Sequence, residues 1–591
     1  MARIVLYAIS IVERNSKLSK IIKHVVSRRG FLRGTAVGSL GLAAAAVIGC
    51  GEDEAAAPAS SGGAKPSVTP AKPVTPPSKP EEKKAAPAAA PKPEVKKEIT
   101  LNFGSNTVMP TMSPNSTAAS NSEFHAVYDC MTRQRPVAGG GSSIDPGLAT
   151  SWETPDGKGK KWVFKLRDAE WSDGTKFTAA DVQFVHDYYK NPENKSRLIS
   201  RVGTYESSKI IDDNTIEITC KDSGDPIFPK REAIVLQIPK HIYEDASINA
   251  EEFMGKSPVG TGAYVASDYV QGQKVVLDKA PNTWHDNAGI VKVNYNWITE
   301  AATRLSAFET GELDFILGLP LNEYSRIDAM ANNVGVQAPA NTNVAWDMAN
   351  MPDKDPGITN DPRVRQAVNY ALDRDGLVKV GWDGVSRAAK DQLITPNVFG
   401  HQSDFTTPAY DPDKARQLLK DAGLGNGAQM SCDAQIITRT YGKPVLEASL
   451  GLWKEVGIET DARTIEVNVW RDRLYGRETK GRPGVFLMGW SSFLYEAGLA
   501  WQWHASTNPY ALWKNDAFDT ARDEANAAVD PKDRMSAYRK MAVLEQVENG
   551  GPSAFMCEAT TAFGYKDNVI DGDSYIPWVI SDAFFNEIKP A

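Results

Sequence analysis

The chain has 591 residues, 41% hydrophobic and 24% charged, a soluble composition that can bury at least one large core. Its formal net charge of −8 argues against a nucleic-acid partner, since such proteins draw their affinity mainly from clustered Lys and Arg. The body of the chain carries no basic, aromatic-interleaved stripe.

In chain order, the first segment reads as an export signal. A basic leader containing Arg3, Arg14, Lys17, Lys20 and Lys23 precedes Ser27-Arg28-Arg29-Gly30-Phe31-Leu32-Arg33, then a Gly/Ala/Val/Leu run from Gly34 to Gly49, then Cys50. The run is shorter than the ~20 residues a spanning helix needs and only weakly hydrophobic. SRRGFLR resembles the twin-arginine translocation motif, with Arg33 where Lys is commoner, and Val47-Ile48-Gly49-Cys50 resembles a bacterial lipobox. The resemblance implies export in the folded state through Arg28 and Arg29, cleavage before Cys50 and lipid on the Cys50 sulfur. Residues 51–98 are dominated by Ala, Pro, Ser, Lys and Glu and cannot bury enough surface to offset their ordering entropy. They read as a disordered linker that could hold the body on the order of 100 Å from a membrane.

Four further cysteines, Cys130, Cys220, Cys432 and Cys557, show no CxxC or Cys/His spacing for a metal. Export permits disulfides, whereas folding first in a reducing cytoplasm favours buried free thiols.

From Ile99 onward strands alternate with capped helices. Lys161 to Leu166 alternates polar and apolar as a half-buried strand does, Trp171-Ser172-Asp173-Gly174 supplies a turn, and Thr178 with Asp181 has capping-box spacing ahead of a helix. The sequence predicts a helix from Ala301 to Glu309 closed by Gly311, and a strand from Leu313 to Ile316. Asp361-Pro362 and Asp411-Pro412 each offer a cap followed by Pro at the first helical position, and Gly423 closes the second of these helices. The apolar run Val485 to Met488 predicts a strand stopping at Gly489-Trp490.

Catalytic motifs do not emerge. The sequence has no HExxH, phosphate loop, GxSxG or dinucleotide fingerprint, and no two of its seven His are spaced i, i+4. Abundant Asp/Glu pairs leave a two-carboxylate hydrolase open, but no nucleophile or metal constellation can be named. The expectation is a protein that is not an enzyme and holds no cofactor or metal.

Seven ordered blocks carry a family likeness: PGLATSWE from Pro146, KWVFKLRDAEWSDGTKFTAADVQFVHDYY, SPVGTGAY, EAATRLSAFETGELDFI, NDPRVRQAVNYALDRDGLV, YDPDKARQLLKDAGL and Gly489-Trp490. Their order and spacing resemble the family 5 extracellular solute-binding proteins of ABC importers, the group of the oligopeptide, dipeptide and nickel receptors. The resemblance implies an α/β, two-lobe periplasmic-binding-protein fold with an extended first lobe: lobe I over 99–342, lobe II over 343–560 and a return to lobe I over 561–591. It implies an exported, lipid-anchored, monomeric receptor in the cell envelope, whose partners are a small solute of the peptide or oligosaccharide class and a membrane permease.

In peptide receptors of this family an Asp follows the Gly-Trp by three residues and pairs with the peptide's α-ammonium. Here Phe493 stands at that place, and a buried ammonium without a counter-charge costs several kcal/mol. Glu496 falls where a second acidic residue would be and is the candidate replacement. Trp490, Tyr495, Trp501 and Trp503 crowd the same segment and could bury the face of a sugar or another flat, neutral ligand. Asn343 and Trp346, near the expected first crossing between lobes, and Trp382, in a loop the family often directs at the cleft, complete the candidates. For nickel, only His504 lies near this segment.

Overall fold

The computed structural model describes residues 97–591 apart from 118–120, 137–141, 222–223, 339, 341, 352–355, 436–441, 466, 475–483, 493, 509–510 and 575–583. The export segment with Arg28, Arg29 and Cys50, nearly all of the linker, and Phe493 thus lie outside the described residues. Among the described residues no helix is long and apolar enough to cross a membrane.

The local signals act where the sequence puts them. The strand Lys161–Leu166 buries Trp162, Phe164 and Leu166 on one face. Thr178 caps the helix Ala179–Lys190 with a complete capping box, its backbone N–H donating to Asp181 at 2.9 Å. Asp361 and Asp411 cap the helices Pro362–Tyr370 and Pro412–Asp421. Gly311 closes the helix Ala301–Thr310 at φ 84°, a left-handed conformation that costs glycine little. The strand expected from Leu313 instead spans Phe315–Leu317, because the N–H groups of Glu312 and Leu313 still turn back to the Ala307 carbonyl.

Two sheets organise the body. The first has seven strands in the order Asn333–Gln337, Ala562–Lys566, Phe315–Leu317, Ile99–Ser105, Ile290–Trp297, Lys274–Lys279 and Tyr264–Val270. Ile99–Ser105 lies at its centre, parallel to both neighbours, with Leu101 and Phe103 fully buried. Phe103 stacks between Tyr295 at 4.8 Å and Phe315 at 4.9 Å, and Phe315 stacks on Phe563 at 5.4 Å. A strand near the end of the chain thereby helps build the core begun at residue 99. A four-stranded antiparallel sheet containing Lys161–Leu166 shares this core.

The second sheet has six strands in the order Arg387–Ala388, Ser553–Ala559, Thr342–Met348, Val485–Ser491, Ala428–Gln435 and Ile458–Ile465. Both faces of its central strand Thr342–Met348 are buried. Val344, Trp346 and Met348 enter one core with helices 362–370, 374–382 and 442–455, while Ala345 packs with Phe555 and Trp501 in another. This is the continuous burial expected of a strand with helices on either side.

The chain passes between the two sheets twice, from Gln337 to Thr342 and from Ala559 to Ala562. The passages run side by side: the Ala338 N–H donates to the Thr561 carbonyl at 2.8 Å, and the Thr560 hydroxyl donates to the Ala338 carbonyl. This is the two-lobe α/β architecture. Cys130, Cys220, Cys432 and Cys557 are buried and stand as free thiols in this structure; burial pushes the Cys432 thiol up to about 12.

Candidate functional site

The segment after Gly489-Trp490 is held by the second sheet. The strand does not stop at Gly489-Trp490 but continues to Ser491, because Gly489, Trp490 and Ser491 pair in register with Val344, Asn343 and Thr342. The chain then turns through Tyr495, whose φ of +50° is uncommon for a bulky residue and costs of order 1–3 kcal/mol. Backbone bonds to Phe399 lock this conformation: the Phe399 N–H donates to the Tyr495 carbonyl at 2.9 Å, and the Ala497 N–H donates to the Phe399 carbonyl at 3.0 Å. A short helix, Ala497–Trp501, follows.

Two charged clusters flank the segment. In the first, the Trp490 indole donates to Asp347 Oδ2 at 2.7 Å, and the Ser553 hydroxyl donates to Asp347 Oδ1 at 2.6 Å. His504 lies between this carboxylate, 3.5 Å from its Nε2, and Glu545, which its Nδ1 contacts directly. The Trp501 indole donates to the other Glu545 oxygen at 2.6 Å. Burial alone would lower the His504 pKa, but the Glu545 and Asp347 charges outweigh it and push it up to about 10. Both ring nitrogens face acids, Nδ1 in contact with Glu545 and Nε2 at 3.5 Å from Asp347 without a hydrogen bond, which is poor preparation for binding nickel. Among the described residues no group of three or more His, Cys, Asp or Glu is arranged to hold a metal.

The second cluster is built on Glu496, which is fully buried. Its Oε1 accepts from Arg534 Nε at 2.9 Å and from the Tyr538 hydroxyl at 3.0 Å, while its Oε2 accepts from Lys230 Nζ at 2.8 Å. Ser492 Oγ accepts from the Glu496 N–H at 3.1 Å and donates to its carbonyl at 2.7 Å, fixing the backbone. Arg534 and Tyr538 belong to the helix Pro531–Glu545, but Lys230 comes from the other sheet's body. Its short helix Phe228–Arg231 inserts Phe228 into the first core and is tied there by the Thr132 hydroxyl, which donates to the Pro229 carbonyl at 2.6 Å. The candidate replacement carboxylate therefore has both oxygens engaged, by two cations and a phenol.

The aromatic candidates divide. Trp490 and Trp503 are half-buried and stacked, with ring centroids 5.7 Å apart, and the His504 ring stands perpendicular to that of Trp490. Trp501 and Tyr495 are buried, Trp501 against Tyr538 at 5.4 Å. Trp346 lies on the opposite face of the sheet, edge-on to Trp453 at 5.1 Å and donating to Ser449 Oγ at 3.1 Å. Trp382 is buried in that same core, at the end of the helix Arg374–Trp382. Asn343 reaches the Gly489–Glu496 segment as the register partner of Trp490; its amide donates to the Gln392 carbonyl at 2.9 Å, and its Oδ1 is a buried acceptor without a hydrogen-bond partner. On the far side of Asn343, Glu558 is buried, its carboxyl pushed up by burial despite Arg387 at 3.3 Å.

Asp347, Glu545, Lys230, Arg534 and Tyr538 escaped the sequence reading. The Asp530-Pro531 cap announces the helix that carries Arg534, but nothing near Lys230 announces that it ends on a carboxylate 266 positions later.

The profile of the bacterial extracellular solute-binding proteins, family 5 Middle, matches residues 143–510. The heme-binding protein A of Haemophilus influenzae is 27% identical over 445 residues, covering 70% of this chain and 78% of that protein. The dipeptide-binding protein of Escherichia coli is 25% identical over 457 residues, covering 71% and 82%. Among solved structures, the periplasmic binding protein DppA of Helicobacter pylori in complex with the peptide STSA superposes with a TM-score of 0.69, covering 84% of this chain and 98% of that one at 21% identity.

Proposed function

Since the chain belongs to the family 5 bacterial extracellular solute-binding proteins and acts as a solute-binding receptor, we propose that it captures a small solute of the oligopeptide-type family that brings no ammonium to the Gly489–Glu496 segment. One observation carries this: the acidic residue nearest the family's specificity position, Glu496, already accepts from Arg534, Tyr538 and Lys230. A ligand ammonium would have to displace one of them, and each displacement leaves a desolvated charge or donor behind. The solute would sit between the two sheets' bodies, and its differential affinity would favour their approach. A permease of an ABC importer would then take the loaded form.

The stacked, half-buried Trp490 and Trp503 favour a second ligand class, an oligosaccharide or another flat neutral solute. Both readings make the protein a receptor without turnover rather than a hydrolase. We further propose a lipoprotein exported by the twin-arginine route and anchored through Cys50, with lobe I formed by residues 99–342 and 561–591 and lobe II by 343–560.

A thermal-shift series against trialanine, N-acetyl-trialanine, malto-oligosaccharides and nickel–histidine tests the ligand reading, since a bound solute stabilises by RT ln(1 + [L]/Kd). The acetylated peptide or the sugar should raise Tm at least as much as free trialanine. Strong stabilisation by trialanine alone would sink the proposal. For the anchor, Cys50→Ala should release the protein from the membrane fraction.

A further inference from the structure

Glu496 is neutralised twice over. Arg534, from its own body, already supplies a full positive charge at 2.9 Å, so the carboxylate does not need Lys230 for charge balance. Lys230 nonetheless reaches it from the other body, with its side chain only 17% exposed and its ammonium 5.9 Å from the Phe399 ring centre. The Arg534 guanidinium lies 5.3 Å from the same ring, so Phe399 offers its π-face to both cations. A contact between the bodies exists only when they are together, so it weighs on the bridged state alone.

We propose that Lys230 is a specificity-determining residue: it holds the Glu496 oxygen that a ligand cation would need, so the bodies can join without a cationic solute, and such a solute finds the carboxylate taken. This deepens the ligand reading above and rests on it. In chemical terms the lysine is an intramolecular stand-in for the α-ammonium of a peptide, delivered from the opposite wall of the cleft. The ligand chemistry it favours is neutral or anionic at this end, and an anion would meet the surplus positive charge of Arg534 and Lys230 shared over one carboxylate.

Two measurements on the full chain carrying Cys50→Ala test it. Cysteines introduced at Ile211 and Val380, exposed positions on the first and second bodies, accept spin labels while the four native thiols stay buried. Without added solute, Lys230→Met should lower the ratio of short to long label distances roughly tenfold, the equivalent of ~1.4 kcal/mol for one charge-assisted contact. Lys230→Arg, which keeps the charge, should preserve the short distance. In thermal shift, the stabilisation by trialanine relative to that by N-acetyl-trialanine should rise in Lys230→Met, because both ligands meet the same loss of the joined state and only trialanine gains the freed Glu496 oxygen. An unchanged distance distribution in Lys230→Met overturns the bridging role while leaving the ligand reading intact. Strong, acetylation-sensitive binding of trialanine to the wild type overturns the ligand reading and the exclusion built on it, whatever the distances show.

Discussion

Two buried carboxylates, one in each body, show how the address of a partner decides what an ion pair does. Asp129 accepts from His285 Nε2 at 3.0 and 3.1 Å, from the Trp284 indole at 3.0 Å and from the Thr261 hydroxyl at 3.1 Å. Burial alone would raise its carboxyl, but His285, with Arg133 and the Trp284 hydrogen bond, outweighs it and holds the carboxyl below its ordinary range. Arg167 lies over the Trp284 ring at 3.6 Å and closes the cluster. Every one of these partners folds with Asp129, so the cluster stabilises a fold. Glu496 is as thoroughly satisfied, yet one of its partners arrives from across the molecule, so part of its energy belongs to a conformation.

The comparison breaks most readily at Asp129. Asp129→Ala leaves an imidazole, an indole and a hydroxyl facing one another without the acceptor, and should cost ~3–5 kcal/mol of stability in denaturant melts. Arg534→Met should cost less, ~2–4 kcal/mol, because Lys230 and Tyr538 still hold Glu496. It should also tighten dependence on Lys230, so that the double substitution costs more than the sum of the two singles. A cost for Asp129→Ala no larger than a surface substitution would erase the contrast.

The pH profile sharpens it further. The depressed carboxyl of Asp129 contributes stability that is present above its unfolded pKa of ~3.9 and lost as pH falls through the folded value. The raised His504 contributes stability that is complete below ~6.5 and lost as pH rises through about 10. Tm should therefore fall on both limbs, with His504→Gln flattening the alkaline limb and leaving the acid limb as it was. The smallest effect is expected of Lys230→Met, which should lower global stability by ~0.5–1.5 kcal/mol in calorimetry while moving the distance distribution far more. Equal and large losses in both would make Lys230 a fold residue like those around Asp129.

What could be read before the structure follows the same divide between near and far. The caps at Thr178, Asp361 and Asp411 and the turn at Gly311 were legible because each is settled within a few residues by a backbone donor or a left-handed bend. The two-lobe fold was legible from ordered blocks rather than periodicity. The site was legible in place but not in wiring. Trp501 and Trp503 look interchangeable two positions apart, yet one is buried against Tyr538 and the other is half-buried beside Trp490, a split only the packing of helix Pro531–Glu545 decides. Trp346 sits three positions from Asn343, and strand alternation sends the two to opposite faces of the sheet. Glu496 looked like a spare carboxylate because its cations lie 38 and 266 positions away.

The paired passages at Ala338 and Thr561 carry one more consequence. A single passage would let the bodies swivel like a lamp on its cord, whereas two passages joined by hydrogen bonds would restrict that swivel, as two pins do for a door. Asn397 adds a third stitch, its amide donating to the Ala340 carbonyl at 3.0 Å. A closure guided in this way would surrender little orientational freedom, so that one lysine finding one glutamate would weigh on how often the bodies meet.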